Sequence, residues 1–247
     1  MKITVITAVL NDLDALVRTR QSVLDQSGVD IQHVVIDGGS RDGVAELLTQ
    51  WSADSKLQFL SEPDSGVYDA FNKGLRLADG DCIGFLNAGD VYRDENVLSD
   101  VAAVLADPET DLVFGDIDIT RPNSVSQVVR RYQSAGFTPQ NLLRGFMPPH
   151  PSIYAKRQVY QTVGMFRDEF RIAGDFEWSI RTFLKHGVRA KHLDRTFVRM
   201  PAGGLSNNGL SSLWQNTVEM HSALEMNGLP ASWIALAMRL PRKWLRA

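Results

Sequence analysis

Four short apolar runs recur along the first part of the chain: ITVITAV (3 to 9), HVVID (33 to 37), LQFLSE (57 to 62) and CIGFLN (82 to 87). The stretches between them carry helical patterning near 12 to 26, 43 to 53 and 68 to 79. Strands alternating with helices are joined by crossovers, and crossovers of one hand build a parallel sheet. Runs that are apolar almost throughout, rather than at alternate positions, belong to strands covered on both faces. A further helix near 95 to 106 and the strand DLVFGDIDI (111 to 119) are expected to continue the same sheet. Past residue 120 the beat loosens. RPNSVSQVVRRY reads as a hairpin-like excursion, and GFMPPHPSIYAKR as a proline-rich loop entering a short strand. A helix near 175 to 186, a strand near 190 to 199, a glycine turn AGGLSNNG and a long helix near 210 to 227 follow. The expected fold class is α/β, with a mostly parallel central sheet flanked by helices.

A chain of 247 residues with 44% hydrophobic content can bury a sizeable core without staples. The single cysteine, Cys82, excludes an intramolecular disulfide and reads as an inert buried thiol. In MKITVITAVLND the polar Thr4 and Thr7 interrupt the apolar run, so it reads as a strand rather than a leader, in a protein of the cytoplasm. No run approaches the roughly 20 apolar residues of a membrane span. A formal net charge of −3 gives no reason to expect nucleic-acid binding.

Parallel sheets of this kind bind ligands outside the carboxyl ends of their strands. Those ends carry TAVLND, DGGSRDG, SEPDSGVYDAFNKG and NAGD. Asp37 followed by two glycines lets backbone approach a ligand closely, while Ser40 and Asp42 suit the capping of the next helix; capping alone would explain the cluster equally. TAVLND has no glycine, which excludes the dinucleotide fingerprint, and no G-x-x-x-x-G-K-[ST] occurs.

In their order and spacing, ITVITAVLND, VVIDGGSRDG, SEPDSGVYDAFNKG and GFLNAGDVY resemble the family 2 glycosyltransferases of the GT-A fold, inverting enzymes that use nucleotide-activated sugars. The match covers residues 1 to 120. GVYDAFNKG and FLNAGD, with the later AGDFEW and GGLS, are similar to bacterial exopolysaccharide enzymes of the colanic acid type. The resemblance implies a GT-A nucleotide-diphospho-sugar transferase domain over 1 to 228, with a nucleotide-sugar-binding half (1 to 120) and an acceptor-binding half (121 to 228). It implies that Thr7 and Ala8 line the nucleoside pocket, that Asp37 hydrogen-bonds the base, and that Lys73 and Asn87 help hold the donor. Asp90 becomes the ligand of a divalent cation, Mn or Mg, with Asn87 standing where an acid is commoner. One carboxylate can suffice, because such cations take their other ligands from phosphates and water. A turn in which Asp90 caps the next helix is the plainer alternative.

Inverting transfer needs a base for the acceptor hydroxyl. RIAGDFEWSIRTF offers Asp175 and Glu177, of which only one can face the site, since i and i+2 point to different sides of a helix. Asp175 aligns with the family's base and Glu177 is the substitute; an N-terminal helix cap would also explain Asp175. His150 in MPPHPS matches a histidine on the acceptor side, as a substrate contact or a structural residue. The tail, 229 to 247, mixes Trp233, Ile234, Leu236, Met238, Leu240, Trp244 and Leu245 with Arg239, Arg242, Lys243 and Arg246. It suits either a membrane interface or packing on protein. The implied partners are a nucleotide-sugar donor and a saccharide acceptor, lipid-linked at the inner face of the cell membrane. Two other functions compete. A sugar nucleotidyltransferase would carry a glycine-rich basic loop after the first strand, which TAVLNDLDALVRTR lacks; a non-catalytic nucleotide-sugar-binding protein would not need to retain Asp90 and Asp175.

Overall fold

The computed structural model describes residues 1–122, 124–203 and 210–238. The first half runs β1 (Lys2–Val9), α1 (Leu13–Leu24), β2 (Asp30–Asp37), α2 (Val44–Trp51), β3 (Leu57–Ser61), α3 (Val67–Leu77), β4 (Cys82–Phe85), β5 (Val91–Tyr92), α4 (Val97–Leu105) and β6 (Leu112–Arg121). The second half runs β7 (Ser124–Tyr132), β8 (Ile153–Lys156), α5 (Arg157–Val163), α6 (Gly174–Ile180), β9 (Ala190–Pro201), α7 (Leu210–Met226) and α8 (Trp233–Ala237). Short 3₁₀ turns cover Pro139–Arg144 and His150–Ser152, and α6 widens into a π-type turn over Arg181–Lys185.

The strands form one sheet in the order β3-β2-β1-β4-β8-β6-β9-β5, with β7 also paired to β6. β3, β2, β1 and β4 are mutually parallel, as the alternating pattern requires. β6 does not continue this group beside β4. The short β8 enters between them and runs antiparallel to both, pairing Gly84 with Tyr154 and Phe114 with Ile153. Strand direction is not written in a local apolar pattern, so the insertion is invisible to periodicity. What allows it is steric: the ring of Tyr154 lies over Gly84, where any Cβ would overlap it. Tyr154 is fully buried and its hydroxyl meets that of Tyr92 at 2.6 Å. Gly84→Ala is therefore expected to destabilise the protein by about 1–3 kcal/mol, the range for overpacking a core, as measured by denaturant unfolding.

Both sheet faces are covered. On one, α3, α5, α6 and α7 enclose Phe71, Phe85, Phe166, Phe176 and Trp178; on the other, α4 packs over Ile3, Val5 and Leu86, and α1 and α2 over Val9 and Val35. Cys82 has no exposed surface. The packed domain does not stop at 228. Leu236 in α8 is fully buried in the first core, with Leu229 and Ala231 against it, and Trp233 stacks on His221 with ring centroids 4.0 Å apart. Residues 239–247, which carry the tail's four basic side chains, and the GLSNNG part of the glycine turn lie outside the described residues. Among the described residues no helix is long and apolar enough to cross a membrane.

Candidate active site

The loops after β1 and β2 are tied together across the carboxyl edge of the sheet. The Asn11 amide donates to Ser40 Oγ (2.8 Å), Arg41 N–H donates to Asn11 Oδ1 (2.9 Å), and Leu13 N–H donates to Asp42 Oδ2 (2.9 Å). Ser40 and Asp42 thus hold the preceding loop and the start of α1, not the next helix; α2 begins after Gly43 with no side-chain cap. Asn11 is held at φ 52°, a left-handed conformation that costs a non-glycine residue energy and persists only where surrounding bonds impose it. Asp37 is fully buried and accepts from Ser40 N–H (3.0 Å) and Ser61 Oγ (2.6 Å). Asp64 lies over Gly38, where a side chain would displace it, and burial raises its carboxyl above the usual range.

Thr7 faces inward and has no exposed surface. Its hydroxyl donates to the Leu86 carbonyl (2.7 Å), so the 2.9 Å contact with His33 Nε2 must be a bond donated by the ring. His33 is then the neutral Nε2–H tautomer, with Nδ1 accepting from Arg20, and Arg20 pairs with Asp54. Burial, with Arg20 alongside, lowers His33 to about 3, in keeping with the neutral ring. Thr7 is thus bonded between β2 and the start of the NAGD corner and presents no surface of its own. Ala8, on the opposite face of β1, is half-buried at the edge.

The NAGD corner follows β4. Ala88 N–H donates to the Ala8 carbonyl (3.2 Å), Asp90 N–H closes a turn on Asn87 (3.0 Å), and Gly89 takes φ 97°. Thr19 of α1 pins the turn from below, accepting from Gly89 N–H (2.9 Å) and donating to the Asp90 carbonyl (2.8 Å). The corner presents two oxygen groups that find no partner among the described residues. Asn87 Oδ1 is buried and unbonded. The Asp90 carboxyl is 5% exposed, has no hydrogen bond or ion pair among the described residues, and is pushed up to about 8 by burial. It caps nothing, since α4 begins at Val97 with Asn96 before it. Buried groups of this kind are expensive unless satisfied, and hard oxygens fit Mg²⁺ or Mn²⁺. No group of three or more His, Cys, Asp or Glu side chains among the described residues could hold a metal alone, so a cation here would need oxygens from a ligand and from water.

Asp175 lies in the first turn of α6, half-buried. Its Oδ1 accepts from Phe176 N–H (2.8 Å) and from Tyr68 Oη (3.2 Å). Burial, offset by these bonds, raises its carboxyl to about 6. It is not the cap of α6; that position is Ala173. The orphan amides there are satisfied from α7, where Glu219 accepts from Ile172 and Ala173 N–H at 2.8 Å each. Glu177 cannot substitute as an accessible base. It points to the opposite side, fully buried, and is enclosed by Arg181 (2.9 Å), Arg167 (3.2 Å) and Asn227 (3.1 Å).

His150 sits among the rings of Phe85, Phe71 and Phe166, at centroid distances of 4.9, 5.3 and 5.5 Å. Burial lowers it to about 3, so its ring is neutral at pH 7. Lys73 bonds the Pro63 carbonyl (2.8 Å) and pairs with Glu62 (2.9 Å) and Asp69 (3.5 Å), stapling the loop before α3. One turn around the same helix, Tyr68 also donates to the Ile172 carbonyl (2.6 Å), and Asn72 exchanges two bonds with the Phe166 backbone (2.9 and 3.0 Å). Helix α3 thus grips the loop before it with Asp69 and Lys73 and the 166–172 loop with Tyr68 and Asn72. The i, i+4 spacing of both pairs is visible in VYDAFNK, although their partners are not. Glu219 and Thr19 carry no local signal, because each acts on backbone far along the chain.

The sequence pattern of glycosyl transferase family 2 matches residues 4–170. The chain belongs to this family. A PGL/p-HBAD biosynthesis glycosyltransferase of Mycobacterium bovis is 27% identical over 245 residues, covering 98% of this chain and 90% of the relative. Among solved structures, S. aureus TarS 1-349 in complex with UDP-GlcNAc superposes with a TM-score of 0.71 at 17% identity, over 91% of this chain and 66% of that one. The mannosyltransferase PcManGT from Pyrobaculum calidifontis, in complex with GDP-Man and Mn²⁺, gives 0.63 at 18% identity, over 98% and 79%. The family's GT-A fold is the fold of this chain, which is a glycosyltransferase. Within it, the carboxyl edge of β1, β2 and β4 gathers Ala8, Asp37, Asn87 and Asp90, while α3 links Asp175 to that edge.

Proposed function

We propose that the protein transfers one sugar, with inversion, from a nucleotide-diphosphate sugar to a hydroxyl of a saccharide acceptor. The observation that carries the reading is the pair of oxygen groups at Asn87 and Asp90, unpartnered among the described residues, at the sheet edge where parallel sheets bind ligands. Asp37, Ala8 and the loop stapled by Lys73 hold the nucleoside. Asp90 and Asn87 hold Mn²⁺ or Mg²⁺, which when bound neutralises charge on the departing diphosphate. Asp175 takes the proton of the acceptor hydroxyl as its oxygen forms a bond to the anomeric carbon, while the bond from that carbon to the diphosphate oxygen breaks on the opposite face. A base poised near 6 is ionised at neutral pH yet basic enough to accept the proton. Tyr68 fixes its direction, and the neutral His150 offers an apolar-walled contact for the acceptor. Exposed Trp214, Ile234 and Met238, with the basic residues that follow in sequence, support a lipid-linked acceptor met at the inner face of the cell membrane.

The test is a thermal-shift panel of UDP, GDP and dTDP sugars with and without Mn²⁺. One nucleotide is expected to stabilise the protein, more so with the cation. No stabilisation by any of them under either condition would remove the reading.

A further inference from the structure

Metal ligands are usually steadied by outer-shell hydrogen bonds made to the ligating side chains themselves. The NAGD corner has none of that kind. Among the described residues the Asp90 carboxyl makes no hydrogen bond or ion pair, and Asn87 Oδ1 is unbonded. Where these two oxygen groups stand is therefore set by the backbone that carries them, and Thr19 gathers that backbone. Its Oγ1, with no exposed surface, accepts from Gly89 N–H (2.9 Å) and lies 2.8 Å from the Asp90 carbonyl oxygen and 3.3 Å from that of Asn87. A hydroxyl has one proton to give, and it goes to the nearer carbonyl, that of Asp90. One turn further along α1, on the same helix face, Ser22 Oγ accepts from Tyr92 N–H (2.6 Å), so the strand that leaves the corner is seated on this helix too. The helix is fixed in turn, because Arg20, next to Thr19, pairs with Asp54 and bonds His33 Nδ1 (3.0 Å). We infer that Thr19 is a positioning residue for the cation: through the Gly89 amide and the Asp90 carbonyl it holds the Asn87 and Asp90 side chains where they join phosphate and water around Mn²⁺ or Mg²⁺. The inference rests on the cation-binding role proposed for those two residues. It separates the cation from the nucleoside, since none of the bonds of Thr19 involves Ala8 or Asp37.

The full chain would be titrated calorimetrically with UDP, GDP and dTDP, first without Mn²⁺ and then over a Mn²⁺ series. The gain in nucleotide affinity that the cation brings, and the Mn²⁺ concentration that gives half of it, are the quantities read. Thr19→Val keeps the shape of the side chain and removes its hydrogen bonds, whereas Thr19→Ser keeps the hydroxyl and loses only the methyl group. Both variants are expected to melt below the wild type. Only Thr19→Val should raise the Mn²⁺ midpoint, by about 10-fold or more, the scale of losing an outer-shell partner of a metal ligand, with cation-free nucleotide affinity unchanged within about twofold. Thr19→Ser should keep the wild-type midpoint. If Thr19→Val fails to fold by circular dichroism, Thr19→Cys, whose thiol pairs only weakly, is read in its place with the same direction of shift expected. A wild-type midpoint in the variant lacking the hydroxyl, a Thr19→Ser protein as impaired as that variant, or equal losses with and without the cation would each overturn the inference and leave the proposed reaction standing. A wild type that binds a nucleotide indifferently to Mn²⁺ would remove the cation from that reaction, and this inference with it. Binding of no nucleotide at all would remove both.

Discussion

Asp90→Asn is expected to reduce sugar transfer by a factor on the order of 10² to 10³, the scale of losing one group that stabilises leaving-group charge, and at the same time to leave the metal-free fold as stable as before or more so. The two effects have opposite signs for one physical reason. A residue at 5% exposure whose carboxyl has no partner among the described residues and is pushed up to about 8 by burial contributes nothing to the fold that an isosteric amide cannot match; burying a polar group unpaired is a cost. Melting curves in EDTA and transfer assays across a Mn²⁺ titration would check both halves. Full transfer in EDTA, or a variant that melts lower but transfers normally, would return Asp90 to a structural role.

Asp175→Asn should lower kcat by about 10² or more, with donor affinity little changed, because a general base acts on the acceptor proton and not on nucleotide binding. The pH dependence has a definite sign. The Asp175 carboxyl is raised to about 6 by burial, so the base form is present above that pH and wild-type kcat should fall as pH drops through 6. The same shift means that the fold holds this proton more tightly than the unfolded chain does. Its contribution to stability is fully present below the ordinary carboxylate range and is lost as pH rises through 6. Tyr68 donates to the ionised form and opposes the rise; Tyr68→Phe should therefore move the acidic limb to higher pH. Glu177→Gln should lower thermal stability without moving that limb, since it strips the buried partner of Arg181 and Arg167. A large kcat loss in Glu177→Gln with none in Asp175→Asn would reverse the assignment.

Much of the first half is legible because β1, β2 and β4 are buried strands of mostly apolar residues, with polar and small-residue clusters just after their carboxyl ends. Seen without partners, however, a polar residue does not reveal whom it serves. Ser40 and Asp42 suit the helix that follows them, yet a positive-φ Asn11 brings the previous loop within reach, and Asn11 N–H takes Ser40 while Leu13 N–H takes Asp42. Likewise, nothing local distinguishes β8 as an antiparallel insertion; the signal is Gly84 opposite Tyr154, two residues seventy positions apart that matter only once paired. The choice between Asp175 and Glu177 follows from helical geometry, but what occupies Glu177 depends on Arg167 and Asn227, which no spacing rule connects to it. At the carboxyl end, the alternation of apolar and basic residues conceals that Leu236 belongs to the core while Ile234 and Met238 do not.

The double grip of Val67–Leu77 bears on how members of this family can be recombined. A chimera cut where the sequence pattern loosens would here be cut after residue 120. Such a cut keeps α3 with the first half and pairs Tyr68 and Asn72 with a foreign loop in place of Ile172 and Phe166. Grafts that carry the 166–175 loop together with α3 preserve both sets of bonds. Exchanging the 166–175 loop without α3 would therefore require redesign of a single helix.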